Sequence, residues 1–164
     1  MSDDELVDLV DEDDHVLEVV TRSEMRARGE SARHRACYVA VLTSADELVV
    51  HRRADWKDVY PGWWDVCFGG VLGAGERWDD AARRELLEEA GIEADPVLLG
   101  PASWAAPGVR VNARVYLAHS DGPFTCPDGE VVEVRTVPRG DVRAWVERHD
   151  VCPDSVDLVL PRLP

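Results

Sequence analysis

Alternation of apolar and polar residues along most of the chain predicts short strands, and one longer segment that stops at Gly91 predicts a helix. The pattern places strands at residues 5–10, 15–21, 36–43, 48–53, 65–71, 96–100, 110–119 and 131–137. It places helices at residues 23–29, 78–90 and 140–148. Clusters of Gly, Pro, Asp and Ser separate these elements, which is typical of turns and loops.

Short strands mixed with helices favour an α/β protein, and we expect an α/β/α sandwich around a mixed β-sheet. A length of 164 residues suits one domain, and no shift in composition marks a second. We therefore expect residues 1–164 to form a single domain. Within it, residues 1–30 should form an N-terminal hairpin and a short helix, with Ser23 as the N-cap, packed on the remainder.

The charge of the chain limits its partners. It has 33 acidic and 18 basic residues and a formal net charge of -15. Such a field repels nucleic acids and anionic membranes, so we expect neither as a partner. A phosphorylated substrate would need a divalent cation to offset its charge. No apolar run approaches the ~18 residues of a membrane span, and the acidic start is unlike a secretory signal, so a cytoplasmic location is expected. The four cysteines fit no zinc spacing and are expected to be free thiols.

The predicted helix at residues 78–90 carries the most informative residues. Glu85, Glu88 and Glu89 stand at i, i+3 and i+4, which predicts that all three project from one face. Like charges on one face are either solvated or gathered around a hard cation such as Mg²⁺. Arg84 can hold one of these carboxylates in place, and Glu76 lies where the preceding glycine-rich loop meets the helix.

The spacing around this helix matches a longer pattern, G-x5-E-x7-R-E-U-x-E-E-x-G-U, where U is an apolar residue. The positions that match are Gly70, Glu76, Arg84, Glu85, Leu86, Glu88, Glu89, Gly91 and Ile92. This is the Nudix box, and the chain resembles the Nudix hydrolase superfamily. The resemblance implies a Nudix-like α/β/α sandwich that binds Mg²⁺, or Mn²⁺, and hydrolyses a diphosphate linked to another group, commonly a nucleoside. It assigns metal binding to Gly70, Glu76, Glu85, Glu88 and Glu89, and catalysis to Arg84, Glu85, Glu88 and Glu89.

A second resemblance extends over about residues 5–138, to the isopentenyl-diphosphate-isomerase-like branch of the superfamily. It rests on the patterns around His34, Lys57 and Pro61-Gly62. Two departures weigh against isomerase activity, because Gly69 stands at the catalytic Cys position and Val71 at the His position. Cys67 lies two residues from the Cys position and is interpreted as structural.

The same resemblance implies that Arg53 and Lys57 contact the substrate's phosphates. His34 and Glu130 remain open, since either could serve the site or play an ordinary structural part. The sequence thus predicts Mg²⁺-dependent hydrolysis of a small-molecule diphosphate, by a monomer or homodimer. Isopentenyl-diphosphate isomerase-like activity and a catalytically silent nucleotide-binding domain are the alternatives.

Overall fold

The computed structural model describes residues 2–164, in which nine strands form one mixed sheet with helices on both faces. The strands are β1 Leu6–Val10, β2 Val16–Thr21, β3 His34–Leu42, β4 Glu47–Arg53, β5 Trp64–Asp65, β6 Phe68–Val71, β7 Val97–Ala106, β8 Val109–His119 and β9 Val131–Pro138. The α-helices are α1 Arg22–Arg28, α2 Trp78–Glu85, α3 Val142–Val146 and α4 Pro153–Val159. A π-helical turn, Leu86–Ala90, extends α2.

The strands fall into two groups that meet at one point. In the first group β3 pairs in parallel with β8 over its full length and antiparallel with β6. In the second group β4 pairs antiparallel with β9 and β5. The two groups are joined at the β3–β4 turn, where Leu42 pairs with Leu48. Since β3 and β4 share only this pair, the strands diverge beyond it and leave room for a site between them.

Apolar residues fill both faces of this sheet. On one face Val39, Phe68 and Tyr116 pack against α2 and its π turn. On the other, strand residues that include Trp64 and Val115 pack against α3 and α4. The β1–β2 hairpin adds to the sheet through Leu9, which pairs with His34 of β3, and α1 covers a small apolar cluster beside it. The predicted α/β/α sandwich around a mixed sheet is confirmed.

The start of α1 differs from the prediction. Thr21, not Ser23, is the N-cap, and its Oγ1 accepts a hydrogen bond from the Glu24 backbone N–H at 3.2 Å. Threonine and serine are both favourable N-cap residues. The choice depends on where β2 ends, which the local sequence does not specify.

Two regions are regular where no helix or strand was predicted. Residues 103–108 were predicted as a loop, but β7 continues to Ala106 and pairs with β8 along the way. This stretch is short of the β-branched residues that favour strands, so pairing with β8 overrides its weak intrinsic preference. Helix α4 was not predicted. Its one local signal is Pro153 at the first helical position, followed by an acidic residue in the first turn.

Two smaller features complete the fold. Among residues 2–164, no helix has both the length and the apolar character needed to cross a membrane. All four cysteines are free thiols, as expected, with Cys126 half-buried and the other three buried.

Candidate active site

Helix α2 places the glutamates of the box between the two strand groups. One side of the helix is fully buried against the sheet through Ala82, Leu86 and Ala90. The last turn is π-helical and stops at Gly91, whose φ of 72° is left-handed. A Cβ at Gly91 would lie 2.0 Å from Thr125 Oγ1, so both conformation and space call for glycine here.

The three helix glutamates all line one cavity, but they differ in burial. Glu85 and Glu89 are buried, with 6% and 5% exposure, whereas Glu88 is exposed at the rim. The π turn explains the difference. It contains more residues per turn than an α-helix, so the i+4 residue stays aligned with Glu85 while the i+3 residue rotates towards solvent. Such turns are frequent at functional sites.

Two consecutive glycines of β6 receive the buried carboxylates. The Gly69 N–H donates a hydrogen bond to Glu89 Oε2 at 3.0 Å. At Gly70 a Cβ would lie 2.7 Å from Glu85 Oε1, so the missing side chain makes room for that carboxylate. At Gly69 a Cβ would lie 2.0 Å from the Cys37 carbonyl oxygen. A cysteine at position 69 therefore could not fit on this backbone.

Arg84 links the remaining acidic groups of the box. Its guanidinium donates to both oxygens of Glu76, at 2.8 and 3.0 Å. It also donates to Glu85 at 2.7 Å and to Glu88 at 3.1 Å. Glu76 accepts a further bond from the Gly73 N–H at 2.8 Å. This network holds the carboxylates of Glu76, Glu85 and Glu88 in place.

Burial removes the carboxylates of Glu85 and Glu89 from water, which strains the site electrostatically because it disfavours their charged forms. Desolvation raises the pKa of Glu85 to about 7 against the opposing pull of Arg84. It raises the pKa of Glu89 well above its usual range, with the charge of Glu85 adding to the effect. For Glu76, burial alone would raise the pKa, but hydrogen bonds from Arg84 and Gly73 hold it below its usual value. A divalent cation would relieve this strain, and hard carboxylate oxygens are the ligands that Mg²⁺ prefers.

A cavity of about 440 Å³ opens beside these glutamates, a size in the usual range for small-molecule sites. It is bounded by the helix glutamates, by β3 and β6, by α1 and by the start of α4. Its basic side chains are Arg22, Arg26, Arg53 and Lys57. Both predicted phosphate contacts, Arg53 and Lys57, thus line the same cavity as the glutamates.

Each of these two cations also has a partner in the protein. The Lys57 ammonium pairs with the Glu130 carboxylate, which lines the cavity as well. Arg53 donates through Nε to the Val59 carbonyl at 3.1 Å, and its Nη1 lies 3.9 Å from Asp65 Oδ2. A substrate phosphate would therefore compete with these carboxylates for the two side chains.

His34, whose role the sequence left undecided, and Cys67, interpreted as structural, also line the cavity. His34 Nδ1 lies 2.9 Å from the Ala32 carbonyl, and burial lowers the pKa of its ring, which favours the neutral form with Nδ1–H donating. Cys67 Sγ lies 3.6 Å from Asp65 Oδ1, and burial raises its thiol pKa well above the usual range. A thiol in that state is a poor nucleophile.

Sequence reasoning missed several cavity residues. Arg22 is half-buried and lies close enough to Glu85 and Glu130 for both carboxylates to stabilise its charge. Asp65 and Asp154 face the cavity from β5 and α4. Asp65 belongs to the Pro61-Gly-x-Trp-Asp segment of the isomerase-like resemblance but was given no role, and Arg22 and Asp154 stand in no motif. The three come from distant parts of the chain. Only the tertiary structure brings them together.

A second acidic group lies away from this cavity, at the turn of the β1–β2 hairpin. Ligand atoms of Asp11, Asp13 and His15 lie within 4.8 Å of one another. His15 Nδ1 is 3.1 Å from Asp11 Oδ2, so an exposed ion pair accounts for the arrangement.

Comparison with known proteins gives the family. The sequence profile of the NUDIX domain matches residues 32–155. Uncharacterized Nudix hydrolase PA4841 of Pseudomonas aeruginosa is 40% identical over 160 residues, which span 96% of this chain and 93% of that protein. Uncharacterized Nudix hydrolase YfcD of Escherichia coli K12 is 35% identical over 153 residues, or 93% of this chain and 83% of that protein.

Solved structures show the same fold. DR0079 from Deinococcus radiodurans superimposes with a TM-score of 0.83 at 24% identity, covering 98% of this chain and all of that one. The NUDIX domain of Shewanella oneidensis NrtR, crystallised with ADP ribose, gives a TM-score of 0.63 at 17% identity and covers 87% of this chain and 96% of that one. Together with the profile match and the two sequence relatives, these findings show that the chain belongs to the Nudix hydrolases.

Proposed function

We propose that this Nudix hydrolase is a Mg²⁺-dependent diphosphatase whose metal is held mainly by Glu85 and Glu89, with Glu76 and Glu88 in support. The observation that carries the proposal is the placement of Glu85 and Glu89. Both are buried, both have raised pKa values, and both lie against glycines that leave space beside them. Two like charges held in a low-dielectric site are costly unless a cation joins them.

The protein's own groups have separable roles in this proposal. Arg84 fixes the orientation of Glu76, Glu85 and Glu88 through its hydrogen bonds. Lys57 leaves Glu130 to bind a substrate phosphate, and the carboxylate released by this exchange faces the same cavity. When bound, Mg²⁺ offsets phosphate charge and lowers the pKa of a coordinated water. A cavity carboxylate accepts the proton of the attacking water.

The substrate is proposed to be a small nucleoside diphosphate derivative or a nucleoside di- or triphosphate. The ADP-ribose complex of the NrtR domain supports this class, because it concerns a protein of the same fold. The expectations of a single domain over residues 1–164, a cytoplasmic location and a monomer or homodimer are retained as part of the proposal.

Isomerase activity is the weaker alternative. A prenyl isomerase must move a proton across the carbon skeleton, so it needs an acid and a base on opposite sides of the substrate. Gly69 provides no titratable group, and the nearby thiol of Cys67 has a raised pKa. A catalytically silent binding domain is disfavoured for another reason, since binding alone would not require all four glutamates of the box.

A substrate screen tests the proposal. The protein would be incubated with Mg²⁺ and nucleoside di- and triphosphates, dinucleotides, nucleotide sugars or isopentenyl diphosphate. Released phosphate would be read with and without added phosphatase, and samples with chelator and with Glu89→Gln serve as controls. We expect hydrolysis of a nucleotide that both controls abolish. Failure with every nucleotide would contradict the proposal, as would deuterated dimethylallyl diphosphate formed from isopentenyl diphosphate in heavy water.

A further inference from the structure

The catalytic cavity has two chemically different ends. The glutamate end comprises Glu85, Glu89 and Glu130 with the cations Lys57 and Arg22 nearby. Another part of the lining, here called the aspartate end, is formed by Tyr38, Asp65, Cys67, Cys152 and Asp154. The two ends adjoin at the pairing of Tyr38 with Gly69, the residue that binds Glu89. Cys67 lies two residues from Gly69, about 7 Å at a strand's rise per residue.

The charges of the two ends decide which part of a substrate each can accept. Lys57 and Arg22 lie among the carboxylates of the glutamate end, where they can meet phosphates. At the aspartate end the one basic group is Arg53, and it lies 3.9 Å from Asp65. A phosphate placed there would face the carboxylates of Asp65 and Asp154, and would compete with both of them for Arg53. The part of the substrate that is not phosphate therefore belongs at the aspartate end.

The aspartate end is a poor fit for a hydrocarbon chain. Tyr38 Oη donates to Asp154 Oδ2 at 2.9 Å, and Asp65 accepts from the Cys67 backbone N–H at 3.3 Å. The other neighbours of Asp65 include the weak thiol donors Cys67 and Cys152. A prenyl tail would remove water from these carboxylates without offering a hydrogen bond in return, which is costly.

The same wall suits a group with several N–H donors. An ionised carboxylate only accepts hydrogen bonds, and its two oxygens can receive two parallel donors. Burial, with the charge of Asp154 adding to it, raises the pKa of Asp65 to about 6, against the opposing effect of Arg53 and of hydrogen bonds from Ser155 and the Cys67 backbone N–H. Of the common nucleobases, guanine presents an imino N–H beside an amino group. Hypoxanthine has the same ring and imino N–H but lacks the amino group.

We propose that Asp65 and Asp154 form the base-recognition wall of the cavity and select nucleotides whose base presents adjacent N–H donors, with guanine the preferred base. This inference rests on the proposed hydrolase function, because that function puts the phosphates at the glutamate end. It assigns specificity to residues outside the Nudix box. Neither aspartate takes part in the hydrolytic step.

The test compares guanosine with inosine nucleotides, which differ only by the amino group. Wild-type protein should show a kcat/KM for guanosine diphosphate at least about tenfold above that for inosine diphosphate, since a buried acceptor without its donor is costly. Guanosine monophosphate should also bind more tightly than inosine monophosphate in buffer with Mg²⁺, and neither nucleotide has a diphosphate bond to hydrolyse. This second measurement needs no catalysis.

Variants of the two aspartates test whether these residues cause the preference for guanine. Asp154→Asn and Asp65→Asn place an amide donor against the base. Each should reduce the guanine-to-hypoxanthine ratio to about one, both in kcat/KM for the diphosphates and in affinity for the monophosphates. Hydrolysis of inosine diphosphate should continue. Asp157→Asn is the matched control, because Asp157 lies on α4 but is exposed and does not line this cavity. It should leave both ratios unchanged. Thermal unfolding would verify that each variant is folded, and if an aspartate variant does not fold, the wild-type ratios decide.

The outcomes separate this inference from the proposed function. Hydrolysis of diphosphates with no difference between guanine and hypoxanthine would overturn the base-recognition wall and leave the hydrolase intact. A preference that survives both aspartate variants would also overturn it. Absence of hydrolysis would contradict the hydrolase proposal, while the binding ratio of the two monophosphates would still decide the role of the aspartates.

Discussion

The glutamate end and the aspartate end of the cavity both hold buried carboxylates, but their surroundings differ. At the glutamate end Arg84 contacts three glutamates, and the backbone N–H of Gly69 holds a fourth. At the aspartate end the neighbours are thiols, hydroxyls and Arg53, which lies 3.9 Å from Asp65.

This contrast bears on function. The charge of Glu85 adds to the raised pKa of Glu89, and the charges of Glu88 and Glu130 add to that of Glu85, which suits groups that share a cation. The carboxylates of the aspartate end accept hydrogen bonds from a tyrosine and a backbone amide, which suits recognition by hydrogen bonds. We therefore expect changes at the glutamate end to affect turnover of all substrates. Changes at the aspartate end should alter the choice among them.

The largest expected effect is that of Glu89→Gln. Loss of a metal-binding carboxylate should lower kcat by at least about a hundredfold, equally for every nucleotide. Glu88→Gln should have a smaller effect, about tenfold, because Glu88 lies at the exposed rim. Steady-state kinetics with saturating Mg²⁺ would measure both. In metal-free buffer, Glu89→Gln should unfold at the same temperature as wild type or higher, since it removes a buried charge. A loss of kcat confined to one nucleotide would contradict the expectation that the glutamate end controls turnover of every substrate.

The two ends also differ in how far the sequence predicts them. The glutamate end lies on one helix and the loop before it, so the spacing of Glu76, Arg84 and the helix glutamates within 23 residues predicts that they converge. The aspartate end draws Tyr38 from β3, Asp65 from β5 and Asp154 from α4. No local pattern links these positions, because their meeting depends on how α4 packs across the sheet.

In the fold as well, elements that depend on the local sequence were predicted, and features that depend on contacts between distant residues were not. Strong apolar runs such as residues 36–43 and the helix before Gly91 were predicted correctly, because burial and periodicity act locally. The π turn at residues 86–90 was not predicted, and it changes which glutamates are buried. With this turn in place, Glu85 and Glu89 lie against Gly70 and Gly69, and helix periodicity does not contain these tertiary contacts.

A second prediction concerns the space beside Gly70. In Gly70→Ala the new Cβ would lie 2.7 Å from Glu85 Oε1, so the buried carboxylate must move. We expect kcat to fall about tenfold and the stabilisation by Mg²⁺ to shrink, because ligand geometry is disturbed while the ligand itself remains. Gly140→Ala is the control, since nothing lies within 4 Å of a Cβ there. Thermal unfolding with and without Mg²⁺ would measure the stabilisation. An unchanged Mg²⁺ response in Gly70→Ala would argue against Glu85 as a ligand.

A third prediction distinguishes the two cavity cations. Lys57 pairs with Glu130 at the glutamate end, whereas Arg53 lies beside Asp65. Lys57→Ala should raise KM about fivefold to tenfold for all diphosphates, with a smaller change in kcat, because a phosphate contact acts on both the bound substrate and the transition state. Arg53→Ala should have a KM effect that differs among bases, since it removes the cation beside Asp65. Initial-rate kinetics on guanosine and inosine diphosphates would measure both. Equal effects of the two variants on both substrates would contradict this division.

The smallest expected effect is a pH-dependent difference in stability at the aspartate end. The pKa of Asp65 is about 6 in the folded protein and 3.8 in the reference state, so folding favours its protonated form. The stability linked to that proton is fully present below pH 3.8 and is lost as the pH rises through 6. Asp65→Asn cannot ionise, so its stability relative to wild type should rise by about 1 kcal/mol between pH 5 and pH 8. Urea unfolding at the two pH values would measure the difference, with Asp157→Asn as the exposed control. A difference that is the same at both pH values would mean that Asp65 is not desolvated by the cavity wall, and the aspartate end would then resemble an ordinary polar surface.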